Sequence, residues 1–516
     1  MESVKKRPGV KIAFYLVVFI GLMLFFTCDH PLYIYDVDDW TYVSSPRLAV
    51  PQPFMWNPTR ILPEIMMPFF AQIGVSCIYP FLQDYIQSLA VAFAVALSGM
   101  IVFYLAGMDY LLQKNYRMRN ERYLLILTLL LWHFLPFCVA GEKSPHMFYA
   151  ANVTCVFYYI ISGLLNAGAA LLVMGGLRPA EKKNARFNGL LLLGVYLCIN
   201  SNMYQSIILA TAASAELFCS WIDVMKQSGC RFWKSIGQTI RENRAKTAVV
   251  CLWLLSLVLE MTGGRAQAAS DASGLGVKNA LQQFAQSIAR LNLIWLAGTI
   301  GLILIALLVC VASKRHPGNA ETAKLNALYL HQMAVCSLCL AVSIVYLILL
   351  SARVNPEYLQ SSAVEFSWVI WCFFMLMISM AYLLKRIPRT ESLLPLVLCV
   401  AISVTVIDGE IYADSNAVPQ YDIQTVKALD ESIIRQAQEA EKEGKTVVEI
   451  RIPKTDSENW PLTVDWGGER IQRTLYRHGL THTQLEIHLV MDEGQLVSFF
   501  RQRFRKGIPE GFCRCF

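Results

Sequence analysis

The sequence predicts an all-α polytopic membrane protein of about eleven transmembrane helices, followed by a small C-terminal α/β domain outside the membrane. Three observations carry this. Of 516 residues, 55% are hydrophobic and 16% charged, whereas soluble globular chains carry roughly a quarter charged residues. The apolar residues fall in blocks of about 17–25, the length that crosses a hydrocarbon core of roughly 30 Å. The loops between the blocks differ sharply in Lys and Arg content, which sets orientation in a membrane.

The chain opens with Lys5, Lys6, Arg7 and Lys11 ahead of an apolar run over 12–26. No small-residue cleavage site follows, so the run reads as an uncleaved first helix rather than a signal peptide. Cys28 lacks the preceding small residues of a lipoprotein site. The expected spans cover 11–27, 85–111, 123–140, 152–175, 188–200, 204–222, 247–262, 291–313, 326–351, 366–384 and 391–408. The N-terminus and the loops 112–122, 176–187, 223–246, 314–325 and 385–390 together hold 24 Lys and Arg, and the opposite short loops hold seven. The first set is therefore expected in the cytoplasm. This distribution also accounts for the net charge of +7 without a nucleic-acid partner. Most of the fifteen cysteines, such as Cys198, Cys251, Cys310, Cys336, Cys339 and Cys399, lie in apolar segments, where cysteine acts as a small hydrophobe. Cys513 and Cys515 have the wrong spacing for a redox pair.

Two places depart from a plain bundle. The segment 61–80 is apolar but carries Pro63, Pro68, Gly74 and Pro80; it is expected to lie at the interface or dip into it rather than span. The short fifth span ends in Asn200, Ser201 and Asn202, which points to a helix buried in protein and opening on a polar space. The expected domains are thus 1–408, a transmembrane unit whose first external loop is 28–84, and 409–516, an extracytoplasmic α/β unit. In the latter, 421–443, 472–478 and 494–504 read as helices, and 446–452 and 484–490 alternate as strands. Its tail sets Arg501, Arg503, Arg505 and Lys506 beside Phe499, Phe500 and Phe504, a composition suited to an anionic surface or to packing on its own domain.

The sharpest chemical signal is Tyr35-Asp36-Val37-Asp38-Asp39-Trp40-Thr41, just after the first span. Three carboxylates this close to an apolar surface repel one another and lose hydration, which raises at least one pKa unless a cation binds. The segment fits a general base or a divalent metal site, with Asp36 and Asp38 as the ligands; acids that merely end a helix are the plain alternative. The same loop supplies Trp56, Arg60 and Glu64: an aromatic platform, a fixed cation able to fork onto a phosphate or carboxylate, and a further acid. Arg60 in an ion pair with one of the aspartates is the competing expectation.

An acidic pair opening a long first external loop, a downstream arginine, broken interfacial helices, about eleven spans and an outside C-terminal domain resemble the GT-C class of glycosyltransferases. Within that class the chain is most similar to bacterial glucosyltransferase-like multipass proteins that decorate surface polysaccharides and teichoic acids. The likeness covers the whole chain as architecture, and residues 36–64 as motif. It implies transfer of a sugar from a polyprenyl-phosphate carrier to an extracytoplasmic glycan or cell-envelope polymer. It also implies that an aspartate of the first loop deprotonates the acceptor; Asp38 is the first choice, with Asp36 or Asp39 as partner. Arg60 maps as a sugar or phosphate ligand, and a third acid leaves the metal requirement open. Further candidates for holding the lipid phosphate are Lys143, His146, Arg265, Lys278 and Arg353, though for each taken singly a loop charge reaching water is the favoured reading.

Other features rank lower. Asn152-Val153-Thr154 is a formal glycosylation sequon abutting a span, His478, His482 and His488 have poor zinc spacing, and Gly467-Gly468 reads as a turn. The alternative function is a transporter or flippase of a lipid-linked or anionic substrate, which calls for polar residues in mid-span; Asn166, Asn292 and His331 are the candidates. A non-catalytic membrane scaffold is the third reading.

Overall fold

A computed structural model describes residues 8–138, 144–150, 152–176, 185–227, 232–272, 276–315, 320–387, 423–454 and 464–492. The helix α1 (Pro8–Leu24) continues through a π-turn to Asp29 and enters a buried extended stretch, Leu32 to Tyr35, before the short α2 (Val37–Tyr42). Next, α3 (Ile61–Ile73), a π-turn and α4 (Tyr79–Leu82) run as one helical segment. Ile61–Leu82 has the length and apolarity of a span, yet the chain leaves it at Asp84 and Tyr85, which bond Lys427 and His478 of the small C-terminal unit that also docks on the first loop, an arrangement compatible with the interfacial expectation for 61–80. Pro63 falls in the first turn, where its missing N–H has no intrahelical acceptor to lose. Gly74 lets the segment press on α5 (Tyr85–Tyr116): a Cβ there would sit 2.9 Å from the Ser88 carbonyl.

The chain continues through α6 (Glu121–Trp132), α7 (Val153–Cys155), a π-turn into α8 (Ser162–Met174), α9 (Ala185–Ile199), α10 (Met203–Gln227), α11 (Phe232–Glu242) and α12 (Arg244–Met261). Then come α13 (Gly264–Ala272), α14 (Val277–Ala289), α15 (Leu293–Arg315), α16 (Ala320–Val354) and α17 (Ser362–Arg386). Eight described segments have the length and apolarity of a span, against the eleven expected. The expected 123–140 span stops at Trp132; beyond it the Pro136 and Cys138 carbonyls accept from Asn292, at 2.7 and 2.6 Å. Residues 188–199 make only a short apolar helix, α12 carries Arg244, Lys246 and Glu260 within its 18 residues, and 391–408 lies outside the described residues. The bundle core centres on α5, α8 and α17, and α5 meets α8 where a Cβ on Gly107 would stand 3.2 Å from the Gly168 carbonyl, a small-residue crossing of the kind membrane helices favour.

After the bundle, α18 (Ile423–Lys442), β1 (Val447–Pro453), α19 (Val464–Arg477) and β2 (Glu486–Asp492) form the small α/β unit. The strands pair in parallel, Val447 opposite Glu486 through Pro453 opposite Asp492; a parallel pair needs a crossover, and α19 supplies it. Gly467 and Gly468 lie within α19, not in a turn, because the helix crosses β2 so closely that a Cβ on Gly468 would collide with the Ile487 carbonyl. The expected helix at 494–504 and the basic tail lie outside the described residues.

This unit docks on the first loop. Ser44 Oγ and Thr474 Oγ1 are 2.7 Å apart, Thr474 donates to the Trp40 carbonyl at 2.5 Å, and Arg477 donates to the Ser44 carbonyl at 2.7 Å. Tyr85 and His478 share a 2.7 Å hydrogen bond, and Lys427 pairs with Asp84. The small unit and the acidic segment therefore share one end of the bundle. The other end is tied by Asp109, which pairs with Lys11 at 2.8 Å and Arg122 at 2.5 Å.

Candidate functional site

The three aspartates do different things. Asp36 is the N-cap of α2 and accepts from the Asp38 N–H at 2.7 Å, while Asp39 reaches back to complete a capping box. That arrangement satisfies backbone donors a helix start leaves open. Asp39 is fully buried. Its Oδ1 accepts from both the Thr154 N–H and hydroxyl at 2.7 Å, and its Oδ2 accepts from the Tyr35 N–H at 3.2 Å. It clips the first loop to α7, whose own N-cap is Asn152, accepting from the Cys155 N–H at 2.7 Å. The sequon residues Asn152 and Thr154 are thus buried fasteners.

Asp38 is exposed, and its carboxylate accepts no hydrogen bond from the described residues. The crowding shows in the acidities. Burial, with the charge of Asp36 added, pushes Asp39 up to about 7. Burial raises Asp36 as well, against hydrogen bonds from Asp38 and Asn152. Desolvation and the Asp36 charge raise Asp38, opposed by Arg265, Arg470 and Arg60.

Those three arginines come from separate parts of the chain. Arg60 is only 8% exposed and lies over the Tyr158 ring at 5.3 Å; among the described residues no carboxylate pairs with it, and its buried Nε has no partner. The backbone around it is held at several points. Thr59 donates its N–H to Glu260 at 2.7 Å and its hydroxyl to the same oxygen, while the N–H groups of Ile61 and Leu62 donate to the Asn200 carbonyl at 2.9 and 3.2 Å. The Asn200–Asn202 turn thus caps α3 instead of opening on a polar space.

Arg265 is placed by the 52–58 loop: its N–H donates to the Trp56 carbonyl at 3.1 Å, and Gly264 donates to Met55 at 2.9 Å. A Cβ on Gly264 would sit 3.3 Å from the Trp56 ring, a close approach of the two backbones. The Arg265 guanidinium donates to the Tyr358 hydroxyl at 2.6 Å. Arg470, on α19, lies 5.8 Å from the Trp466 ring centre, and its buried Nε is also unpartnered. Tyrosines link these pieces: Tyr42 with Tyr158, Tyr159 with Tyr204, and Tyr204 with Tyr358, at 5.6, 6.1 and 6.1 Å.

An open carboxylate that feels the charge of three guanidiniums can take a proton from a neutral hydroxyl, and the guanidiniums can hold an anion. Burying a charge costs several kcal/mol; for Arg60 the Tyr158 ring and the nearby charges of Glu260 and Glu64 offset part of that cost.

The other sequence candidates separate from this group. Glu64 is buried against Arg47 at 3.2 Å and accepts from Tyr158 at 2.7 Å, so it braces the loop instead of meeting a ligand. Trp56 is 58% exposed and acts through its backbone on Arg265. His146 is no phosphate clamp: it is fully buried among Phe25, His30 and Phe134, and burial, with His30 beside it, holds its imidazole well below the usual range and neutral. Arg353 and Lys278 make no described contact with the aspartates, and Lys143 lies outside the described residues. Among the described residues no three His, Cys, Asp or Glu side chains gather as a metal site; Asp36 and Asp38 alone, amid guanidiniums, are a poor cation cradle. His478, His482 and His488 do not converge: His478 bonds Tyr85 and His488 pairs with Glu486.

Arg470 and the tyrosines were not singled out from the sequence. Arg470 is one of several arginines on an amphipathic helix more than 400 positions from Asp38, and only docking selects it. Tyr158-Tyr159, a polar-tipped doublet inside an apolar span, is the signal that was present. No protein-family model, curated protein or solved structure matches the chain.

Proposed function

We propose that this chain is a membrane glycosyltransferase that moves a sugar from a polyprenyl-phosphate carrier to a glycan or cell-envelope polymer, with its working end on the extracytoplasmic face. The observation that carries the proposal is Asp38, an exposed carboxylate with no hydrogen-bond partner among the described residues, whose acidity the charges of Arg265, Arg470 and Arg60 hold down. In this reading the acceptor hydroxyl gives its proton to Asp38, and its oxygen bonds to the anomeric carbon. The bond from that carbon to the phosphate oxygen breaks, and its electron pair leaves with the lipid phosphate, whose charge the arginines hold. Asp38 then returns its proton to solvent. The orientation rests on the uneven loop charges, 24 against seven, and on the shared end occupied by the small α/β unit and the acidic segment.

A carrier of the same anion is less well supported. Its mid-span polar candidates have structural partners: Asn166 donates to Ser162 and Ser201, Asn292 to Cys138, and His331 faces Glu216.

The test is sugar transfer from a polyprenyl-phosphate-sugar by the full chain in reconstituted membranes. Asp38→Asn is expected to lower turnover by roughly 10²- to 10⁴-fold, the usual contribution of a general base, while leaving polyprenyl-phosphate binding intact. Undiminished transfer in Asp38→Asn overturns the mechanism; binding and translocation without transfer by the wild type assigns the site to a carrier.

A further inference from the structure

At the end of the bundle away from Asp38, α5, α16 and α17 enclose a concavity of about 720 Å³ lined by Tyr116, Arg117, Thr322, Lys324, Lys385 and Arg386 among others. We infer that this concavity is a second anion site, which binds the phosphate group of an acidic membrane lipid.

Four cations line it against one carboxylate, Glu321. Lys385 is already neutralised by Glu121 at 3.0 Å. Arg117 and Lys324 have no carboxylate partner among the described residues, and the described polar contact of Arg386 is with Thr322 Oγ1 at 3.4 Å. Two to three positive charges thus line one hollow against Glu321 alone among the described residues, an arrangement that costs Coulombic energy unless an anion joins it.

Arg117 also closes α5 at φ 50°, the left-handed region where a side chain is disfavoured by roughly 1 kcal/mol and glycine is the easier choice. Behind the cations the wall is rigid. Tyr116 donates to Gln332 at 2.7 Å, Tyr382 to Asn326 at 2.8 Å, and Asn326 to Ser313 at 2.6 Å.

The choice of a lipid rests on position and on the mixed lining. The hollow sits where three apolar helices end, the depth of a headgroup. Leu325 and Leu328 of α16, both half-buried, form one apolar side of it. Basic hollows between helix ends suit acidic headgroups, each nearby Lys or Arg adding about 1 kcal/mol.

The experiment uses the full chain in detergent. Retention of phosphatidylglycerol against phosphatidylcholine is followed by native mass spectrometry, and inorganic pyrophosphate is tested as a competitor and, separately, by thermal shift. The variants are the double K324Q/R386Q, and R117G, which removes a charge while giving the left-handed position the residue it favours. The wild type is expected to retain phosphatidylglycerol over phosphatidylcholine, and the double variant to lose that retention by roughly tenfold or more with an unchanged melting profile. Displacement of the lipid by pyrophosphate supports phosphate recognition by the hollow. Pyrophosphate binding without lipid retention overturns the lipid assignment in favour of a soluble phosphate. Retention equal in wild type and both variants, or no binding of either probe, overturns the site altogether. None of these readouts depends on Asp38 or on sugar transfer.

Discussion

Asp36, Asp38 and Asp39 lie within four positions of one another, yet burial gives them separate tasks. Asp39 is enclosed and accepts from Thr154 and Tyr35, so Asp39→Ala strands buried donors and is expected to cost about 2–4 kcal/mol of stability, read as a lowered melting temperature. Asp38→Asn, at an exposed side chain with no partner to lose, is expected to leave that temperature unchanged. Asp39 also has a pH signature. Its carboxyl holds a proton up to about pH 7 in the folded chain, against roughly pH 4 when unfolded. The folded state therefore binds more protons between those values, and the contribution of this group to stability falls as pH rises through that window. Melting curves across it should lose this slope in Asp39→Asn. Arg470 acts on Asp38 through charge: it holds the Asp38 pKa down. Arg470→Gln is thus expected to shift the acid limb of kcat/KM for sugar transfer to higher pH, and a shift to lower pH, or none, would remove Arg470 from the site.

At the scale of elements, the small α/β unit depends on one close crossing. Gly468 lies within α19 against the β2 backbone at Ile487, and Gly468→Ala forces the helix and strand apart at a cost of about 3 kcal/mol. Because α19 carries both Arg470 and the Thr474 that bonds Ser44 and Trp40, the same change should raise hydrogen exchange across 423–492 and reduce transfer together. Exchange limited to α19, with activity retained, would separate the unit from the site. The segment 61–82 makes a related point in reverse. Its prolines read as breaks in sequence, but Pro63 takes a position with no hydrogen bond to give up, Pro68 is carried inside α3, a π-turn follows at Gly74–Ile78, and Gly74 is a contact surface for α5.

For the whole molecule, the two ends carry opposite duties. One carries Asp38, whose acidity Arg265, Arg470 and Arg60 hold down, and the docked α/β unit; the other is tied by Asp109 to Lys11 and Arg122 and carries the basic hollow. If the proposed orientation holds, a cysteine at exposed Lys442, in a background without native cysteines, reacts with an impermeant reagent from outside intact cells. One at exposed Lys114 then reacts only after permeabilisation. Labelling in the reverse order inverts the orientation and moves the proposed catalytic end to the cytoplasm.

The apolar blocks, the long α5, α10, α15, α16 and α17, the strands of the small domain and the chemical interest of residues 36–60 were all legible in the sequence, because hydropathy, periodicity and charge are properties of neighbours along the chain. The roles within the acidic segment were not. Asp39 is structural because Thr154 meets it 115 positions away, Asp38 is open because nothing does, Glu64 is taken by Arg47, and Arg470 reaches the site because Thr474 bonds Ser44. Each of these turns on which surfaces are buried against each other. Burial decides whether a carboxylate is a fastener or a base, since it sets both the cost of its charge and the partners that offset it.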